Sequence, residues 1–415
     1  MSLLRVLHIN FSSHKGGASR AVYRINEALN NSKFFSSKVL SVDYNKNRNN
    51  YIFYPKSQRI FNYLKRVFAF FARKIENYNN KVQSHLSYNY FDSYFLLKFI
   101  NSDKDFDIIN LHWVNGEMLS IKNIGNLEKP IVWTFHDMWP FSGAEHISIN
   151  HKRWINGYKT KSFFDLSAKT WLKKKKYWKK AFQVVAPSLW IKNCVSSAKL
   201  TKKWPSTIIP NTIDTKFWKV KSKNHLRNKL NIKKDSTIIM FSALGGGNEY
   251  HKGKDLLIKA LQILKKKINF EIIIVGENFS SSLLALGIKT YYLGYIKEDH
   301  LLRDIYNCAD ICVVPSRVES FSLTALEAQS CGTPVVSFNA CGLKDIIIDG
   351  KTGFLAKPYC HKDLEKKILF ILSNKKIKEL MCSNARRHVL KCFSYPVVAK
   401  QYIDLYLKVI RNKYE

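Results

Sequence analysis

The chain has 415 residues, 46% of them hydrophobic, and a formal net charge of +37 from 68 Lys+Arg against 31 Asp+Glu. That length exceeds one ordinary core and predicts two domains, and the apolar content excludes a disordered chain. The positive field favours anionic partners, whether nucleic acid, an anionic membrane surface or phosphorylated substrates, and a Lys/Asn/Ile-rich composition also raises basic residues for reasons unrelated to function.

In chain order, MSLLRVLHINFSSHKGGASRA reads as a first buried strand and not as a signal peptide, since no basic region leads into a continuous apolar stretch. LRVLHIN (4–10) precedes a Gly-Gly turn and a helix through Leu29. Further strands are expected at 37–43, 107–113, 130–136 and 182–188. Between them, 59–75 places Ile60, Phe61, Leu64, Val67, Phe68, Phe71 and Ile75 along one helical face, with Arg59, Lys65, Arg66, Arg73 and Lys74 largely off it. Such a stripe suits either an anionic membrane surface or core packing. AKTWLKKKKYWKKAF (168–182) leaves the same choice between a membrane contact and a solvated helix with two packed tryptophans.

Two prolines and a PNT turn in KWPSTIIPNTIDTKFW put the domain boundary between Trp204 and Lys234. The expected division is 1–205, 206–392 and a last helix, 393–415, able to dock on either domain. In the second half, strands at 237–244, 271–276, 290–295, 310–315 and 334–338 alternate with helices at 253–266, 298–307 and 322–331. Continuous apolar strands alternating with helices predict an α/β fold with parallel sheets, and ligands at the carboxyl ends of the strands. No apolar run reaches 18 residues, so no spanning helix is expected. The eight cysteines show neither a CxxC pair nor zinc spacing, which points to single core thiols in a reducing cytoplasm.

The chemistry concentrates in VPSRVESFSLTALEAQSCGTPVV (314–336). A strand ends at Pro315, and a helix capped by Ser320 or Ser322 stops at Gly332. The N–H groups of Phe321, Ser322 and Leu323 are then free for a diphosphate. Glu319 in the loop and Glu327 one turn into the helix suit vicinal sugar hydroxyls, because a carboxylate accepts two hydrogen bonds at once. By spacing alone the pair also fits a solvated loop residue and a helix-face charge.

Glu-x7-Glu across this strand–loop–helix, followed by GTPVV and DGKTGFL (349–355), closely resembles the retaining glycosyltransferases of family 4. The resemblance implies the GT-B architecture, two Rossmann-like domains facing each other across a cleft. It implies that Glu327 holds the donor ribose and Glu319 the transferred sugar, while amides 321–323 hold phosphate and sugar oxygens. In LGGGNEYHKGKDLL (244–257), Lys252 would meet the diphosphate, with Gly245-Gly246-Gly247 standing where relatives often have an Arg. Gly16 and Gly17 would lie near the donor phosphates and the acceptor.

His136, in PIVWTFHDMWPFSG, would lie near the reacting sugar, so that His136, Glu319 and Lys252 form the expected catalytic set. This block and DIINLHWVNGEMLSI are closest to bacterial exopolysaccharide and colanic-acid-type members. The cysteines that relatives often carry beyond HDMWPF are missing.

The implied reaction retains anomeric configuration and uses no metal and no cofactor. A UDP- or GDP-sugar is the donor, and a glycan or lipid-linked saccharide the acceptor, in surface polysaccharide biosynthesis. A cytoplasmic site is implied, with peripheral attachment to an anionic membrane left open and no nucleic acid as partner. The alternatives are a sugar-nucleotide epimerase of the same fold, which needs catalytic acids in the first domain that the sequence does not reveal, and a non-catalytic basic protein binding membrane or nucleic acid. The latter leaves the strand–helix series and Glu319/Glu327 unexplained.

Overall fold

The computed structural model describes residues 4–32, 35–43, 45, 50–80, 85–148, 151–159, 162, 164–242 and 250–414. Its apolar runs form two sheets. The first contains β1 (Leu4–Ile9), β2 (Phe35–Ser41), β3 (Tyr51–Phe53), β4 (Ile108–Leu111), β5 (Ile131–Thr134), β6 (Gln183–Ala186) and β7 (Ser206–Ile208), in the order β3-β2-β1-β4-β5-β6-β7. The second contains β8 (Ile238–Ser242), β9 (Glu271–Val275), β10 (Thr290–Tyr292), β11 (Ile311–Val314), β12 (Val335–Phe338) and β13 (Gly353–Ala356), in the order β10-β9-β8-β11-β12-β13.

Neighbouring strands pair in parallel throughout. Such strands are covered on both faces, which is why β4, β11 and β12 are buried along their whole length, with Asn110 and Ser337 their polar residues. Strand order reverses between β1 and β4 in one sheet and between β8 and β11 in the other, as in the doubly wound Rossmann fold. The crevice at such a reversal, beyond the carboxyl ends of the strands, is where ligands sit in this architecture.

Contacts divide the chain into Met1–Thr212 with Val398–Glu415, and Ile213–Val397. The first unit therefore runs past the expected end at residue 205, because residues 206–208 extend its sheet as β7 against β6. The last helix, Tyr395–Tyr414, does not stand apart either. Asn110 Nδ2 donates to Tyr406 Oη at 2.7 Å, and the hydroxyls of Thr134 and Tyr402 meet at 3.3 Å, all four groups buried. From Val398 onward the helix belongs to the first unit.

The helix Lys56–Asn80 is turned inside out. Its polar Asn62 and Lys65 face the protein, where Asn62 Nδ2 donates to the carbonyls of Gly116 (3.3 Å) and Glu117 (2.9 Å). Lys65 Nζ donates to those of Phe91 (3.2 Å) and Asp92 (3.1 Å). Its apolar residues face outward, with Ile60 and Phe68 each 64% exposed and Phe61, Leu64 and Phe71 at least half exposed. The core-packing reading of this stripe does not hold over the described side chains.

In the second unit, Asp310 ties together elements far apart in sequence. Oδ1 meets Lys223 Nζ (3.1 Å) and Lys378 Nζ (3.0 Å), while Oδ2 accepts from Arg227 Nη2 (3.0 Å) and the Ile238 amide (2.9 Å). Burial opposes the charge, but Lys223, the Ile238 amide and Lys378 outweigh it and pull the carboxyl down to about 2. The depressed value means that the stabilisation is complete above the unfolded-state value and disappears as pH falls toward about 2. In acid titrations of unfolding free energy, Asp310→Asn should therefore lose about 2 kcal/mol less than wild type between pH ~4.5 and ~2.

Candidate donor-binding site and histidine edge

In the second unit the loop after β11 leads into the helix Leu323–Ser330. Ser322 caps this helix, its Oγ accepting from the Ala325 amide at 3.3 Å, and it does so at φ +96°. That conformation costs an L-residue on the order of 1–3 kcal/mol, so its surroundings must enforce it. Phe321 does so from one side, its ring buried edge-on against Phe393 with centroids 5.8 Å apart. On the other side the Gly342 amide donates to the Glu319 carbonyl at 2.9 Å. Among the described residues the amides of Phe321, Ser322 and Leu323 have no protein acceptor.

Glu319 and Lys252 meet beside these amides. Lys252 Nζ donates to Glu319 Oε1 at 2.7 Å, and Ser316 Oγ reaches the same oxygen at 3.1 Å. Lys252 ends the short turn Tyr250–Lys252 after β8. Gly253 then has φ +70°, and a Cβ there would lie 2.0 Å from the Pro315 carbonyl oxygen. The loops after β8 and β11 are therefore pressed backbone to backbone at the reversal of strand order.

A clamp missed by the sequence reading fixes this contact. Arg317 donates two bonds to Asp255, at 2.8 and 2.6 Å, and a third to the Tyr250 carbonyl at 2.7 Å, with its guanidinium 3.9 Å over the Tyr250 ring. The hydrogen bond from Arg317 is the main force holding the Asp255 carboxyl below its usual range. The nearest signal was Arg317 itself, two residues from Glu319.

Glu327 is not a helix-face charge. It is 2% exposed, and its Oε2 accepts from Tyr306 Oη at 3.0 Å. Burial, reinforced by this nearby carboxylate, pushes the thiols of Cys312 and Cys331 far up. Gly245-Gly246-Gly247 fall outside the described residues.

In the first unit, Gly16 (φ +86°) and Gly17 open the helix Gly16–Asn30 after β1. A Cβ on either would meet nothing within 4 Å, so packing does not require these glycines, and the space before the helix is open. The approach to this helix is pinned by Asp43, another residue the sequence did not reveal. Its carboxylate accepts from Ser12 Oγ (2.7 Å), the Ser13 amide (2.5 Å) and Ser41 Oγ (3.0 Å). Burial pushes this carboxyl up, but those hydrogen bonds prevail and hold it below its usual value.

His136 follows β5 and does not stand alone. Its Nε2 lies 3.0 Å from Nδ1 of His112, which follows β4, and His112 Nε2 lies 2.8 Å from Nδ1 of His8 on β1. Three adjacent parallel strands thus each contribute one imidazole to a single row. It runs from fully buried His8 through buried His112 to partly exposed His136. Desolvation holds all three neutral, with His8 down to about 3, His112 well below its usual value and His136 down to about 4.

The loop beyond His136 is braced twice. Asp137 Oδ2 accepts from Trp113 Nε1 (3.0 Å) and meets His146 Nδ1 at 2.6 Å, and His146 Nε2 reaches Ser87 Oγ at 2.8 Å. Fully buried Lys174 donates to the carbonyls of Trp139 (2.5 Å), Ser142 (3.2 Å) and Gly143 (2.7 Å). The lysine run is therefore not a wholly solvated face, although Trp171 and Trp178 are buried as expected. Among the described residues no group of three His, Cys, Asp or Glu is placed to hold a metal ion.

Residues 15–217 match the family model described as Glycosyltransferase Family 4, and residues 222–388 match Glycosyl transferases group 1. Each model covers less than half of the chain, and both describe glycosyltransferases. A Campylobacter jejuni protein, N,N'-diacetylbacillosaminyl-diphospho-undecaprenol alpha-1,3-N-acetylgalactosaminyltransferase, is 30% identical over 201 residues, covering 47% of this chain and 48% of the relative. The chain spans about half the length of the curated relatives it matches.

Among solved structures, HepE of Anabaena in complex with UDP and glucose superposes with a TM-score of 0.68 at 16% identity, covering 98% of this chain and 100% of that one. Sucrose-phosphate synthase from Thermosynechococcus elongatus gives 0.67 at 17%, covering 99% and 100%. At such identities these likenesses establish the fold alone, two Rossmann-like domains of the GT-B class.

The second unit supplies a direct stability test of the loop contact. Gly253→Ala must relieve both a left-handed backbone and a carbonyl clash, and should cost about 2 kcal/mol or more in urea unfolding.

Proposed function

We propose that this protein transfers a sugar from a nucleotide-sugar donor to a glycan or lipid-linked saccharide, with retention of anomeric configuration, in surface polysaccharide synthesis. The observation that carries this reading is the Lys252–Glu319 pair beside the unpaired amides of residues 321–323. Without donor, the two side chains satisfy each other. A diphosphate entering at the helix start takes Lys252 as its counter-ion and releases Glu319 to the hydroxyls of the sugar. Glu327, oriented by Tyr306, takes the ribose.

Lysine, amides and helix dipole then supply positive potential where the departing diphosphate gains charge, so the reading needs no metal. Charge development at the anomeric carbon is oxocarbenium-like, and displacement on the same face accounts for retention. From the first unit, this reading assigns His136 a hydrogen bond to the sugar, and the open turn at Gly16 and Gly17 a role in admitting phosphate or acceptor.

The UDP in the HepE complex and the lipid-diphosphate-linked acceptor in the name of the Campylobacter relative support a UDP-sugar donor and a lipid-linked acceptor. In calorimetry against UDP-, GDP- and ADP-sugars, Lys252→Met and Glu327→Gln should each weaken binding of the preferred donor by about 10- to 100-fold. Undiminished binding in both folded variants would refute the donor site.

The outward-facing side of the helix Lys56–Asn80 supports attachment to an anionic membrane. Apolar side chains point outward there, and the segment carries six basic residues against one acidic. Phe91, Tyr94 and Phe95 extend the exposed patch, with Phe68 and Phe91 rings 6.1 Å apart. No helix of the described residues is long and apolar enough to cross a membrane. In sedimentation with phosphatidylglycerol vesicles, Phe68→Ser with Phe71→Ser should reduce binding at least ~10-fold, while neutral phosphatidylcholine vesicles bind weakly at the outset. Equal sedimentation of variant and wild type would reject the membrane face.

A further inference from the structure

We infer that the His8–His112–His136 row is a tautomer-setting chain that makes His136 present an uncharged Nδ1–H donor at the carboxyl edge of the first sheet. Each link joins two ring nitrogens, at 2.8 and 3.0 Å, so one must donate and the other accept. A neutral imidazole carries one N–H. The three rings must therefore all run in the same sense, each donating through Nδ1 toward His136 or each through Nε2 toward His8.

The buried end selects the sense. Nε2 of His8 lies in the core with no hydrogen-bond partner. Running inward, the chain would strand an N–H there; running outward, it leaves only an unused acceptor, and buried N–H groups without partners are the rarer defect. The outward sense makes His8 Nδ1–H donate to His112 Nε2 and His112 Nδ1–H donate to His136 Nε2. His136 Nε2 is then occupied, and Nδ1 is the nitrogen left to meet a ligand.

Under the transferase reading, on which this inference rests for its use, a neutral donor serves a different purpose from a base. It can hydrogen-bond a sugar oxygen without removing a proton from it. It also places no full positive charge beside an oxocarbenium-like centre. His112 and His8 are positioning residues that act through His136, since neither is at the open end of the row.

The tautomers can be read directly. Long-range 1H–15N correlation spectra of the full chain labelled at histidine should show His8, His112 and His136 all protonated at Nδ1 at neutral pH. Nε2–H forms at His136 and His112 would overturn the inference. So would a protonated, doubly N–H-bearing His136.

Two variants at the buried end separate positioning from packing. Asparagine can reproduce an Nδ1–H donor, so His8→Asn should keep the Nδ1–H form at His136 and keep kcat within ~3-fold. His8→Leu removes the donor, and should shift His136 toward Nε2–H and lower kcat by about tenfold with little change in donor KM. A folded His8→Leu protein with unaltered tautomers refutes the chain, and if that variant does not fold, the wild-type spectrum and His8→Asn still decide. Confirmed tautomers with no sugar transfer in any variant would overturn the transferase reading and leave the chain standing.

Discussion

Parallel pairing of every strand is the constraint from which the rest of this molecule follows. A parallel sheet sends all its carboxyl ends to one edge, and each connection must leave that edge through a loop and cross back, usually by way of a helix. Loops far apart in sequence are thereby gathered side by side. In the second unit this brings the turn after β8 against the loop after β11, closely enough that only a glycine fits at position 253. In the first it aligns imidazoles from β1, β4 and β5, which lie more than a hundred residues apart at the extremes.

The two edges are tuned differently. The edge of the second unit keeps charge in play: Lys252 and Glu319 are partly exposed and paired, Arg317 is locked on Asp255, and three amides remain open. At the histidine edge, desolvation keeps the three rings of the row neutral. A nucleotide diphosphate needs the first kind of surface.

What the sequence made legible follows period and backbone chemistry. Continuous apolar runs announced the parallel strands, and Ser322 with Gly332 announced a short capped helix. The family pattern brought Glu319, Lys252 and amides 321–323 to one place, where the structure also puts them. Burial and pairing across the sheet were not legible. Glu327 and a helix-face glutamate look alike until Tyr306 is folded over one of them. His112 looked like one more residue in an apolar block, because its partners on β1 and β5 are set by register and not by sequence distance. The stripe at 60–71 showed that a helix has two faces but not which one points inward. That depended on backbone carbonyls waiting for Asn62 and Lys65.

The docking of Tyr402 and Tyr406 onto Thr134 and Asn110 has a consequence for how the chain is made. Synthesis proceeds from the N-terminus, and domains generally fold in the order they emerge. Here the first unit lacks a helix that is made only after the whole second unit. The Thr134 hydroxyl can donate to Asn110 Oδ1 within the first unit (3.1 Å), but Asn110 Nδ2 lacks its acceptor, Tyr406 Oη, while the whole second unit is produced. The second unit, a continuous stretch, has all its own residues before the first is complete. Of these two units the one that starts earlier is completed later, and in that interval the face of β4 and β5 that Tyr402 and Tyr406 will cover stands open.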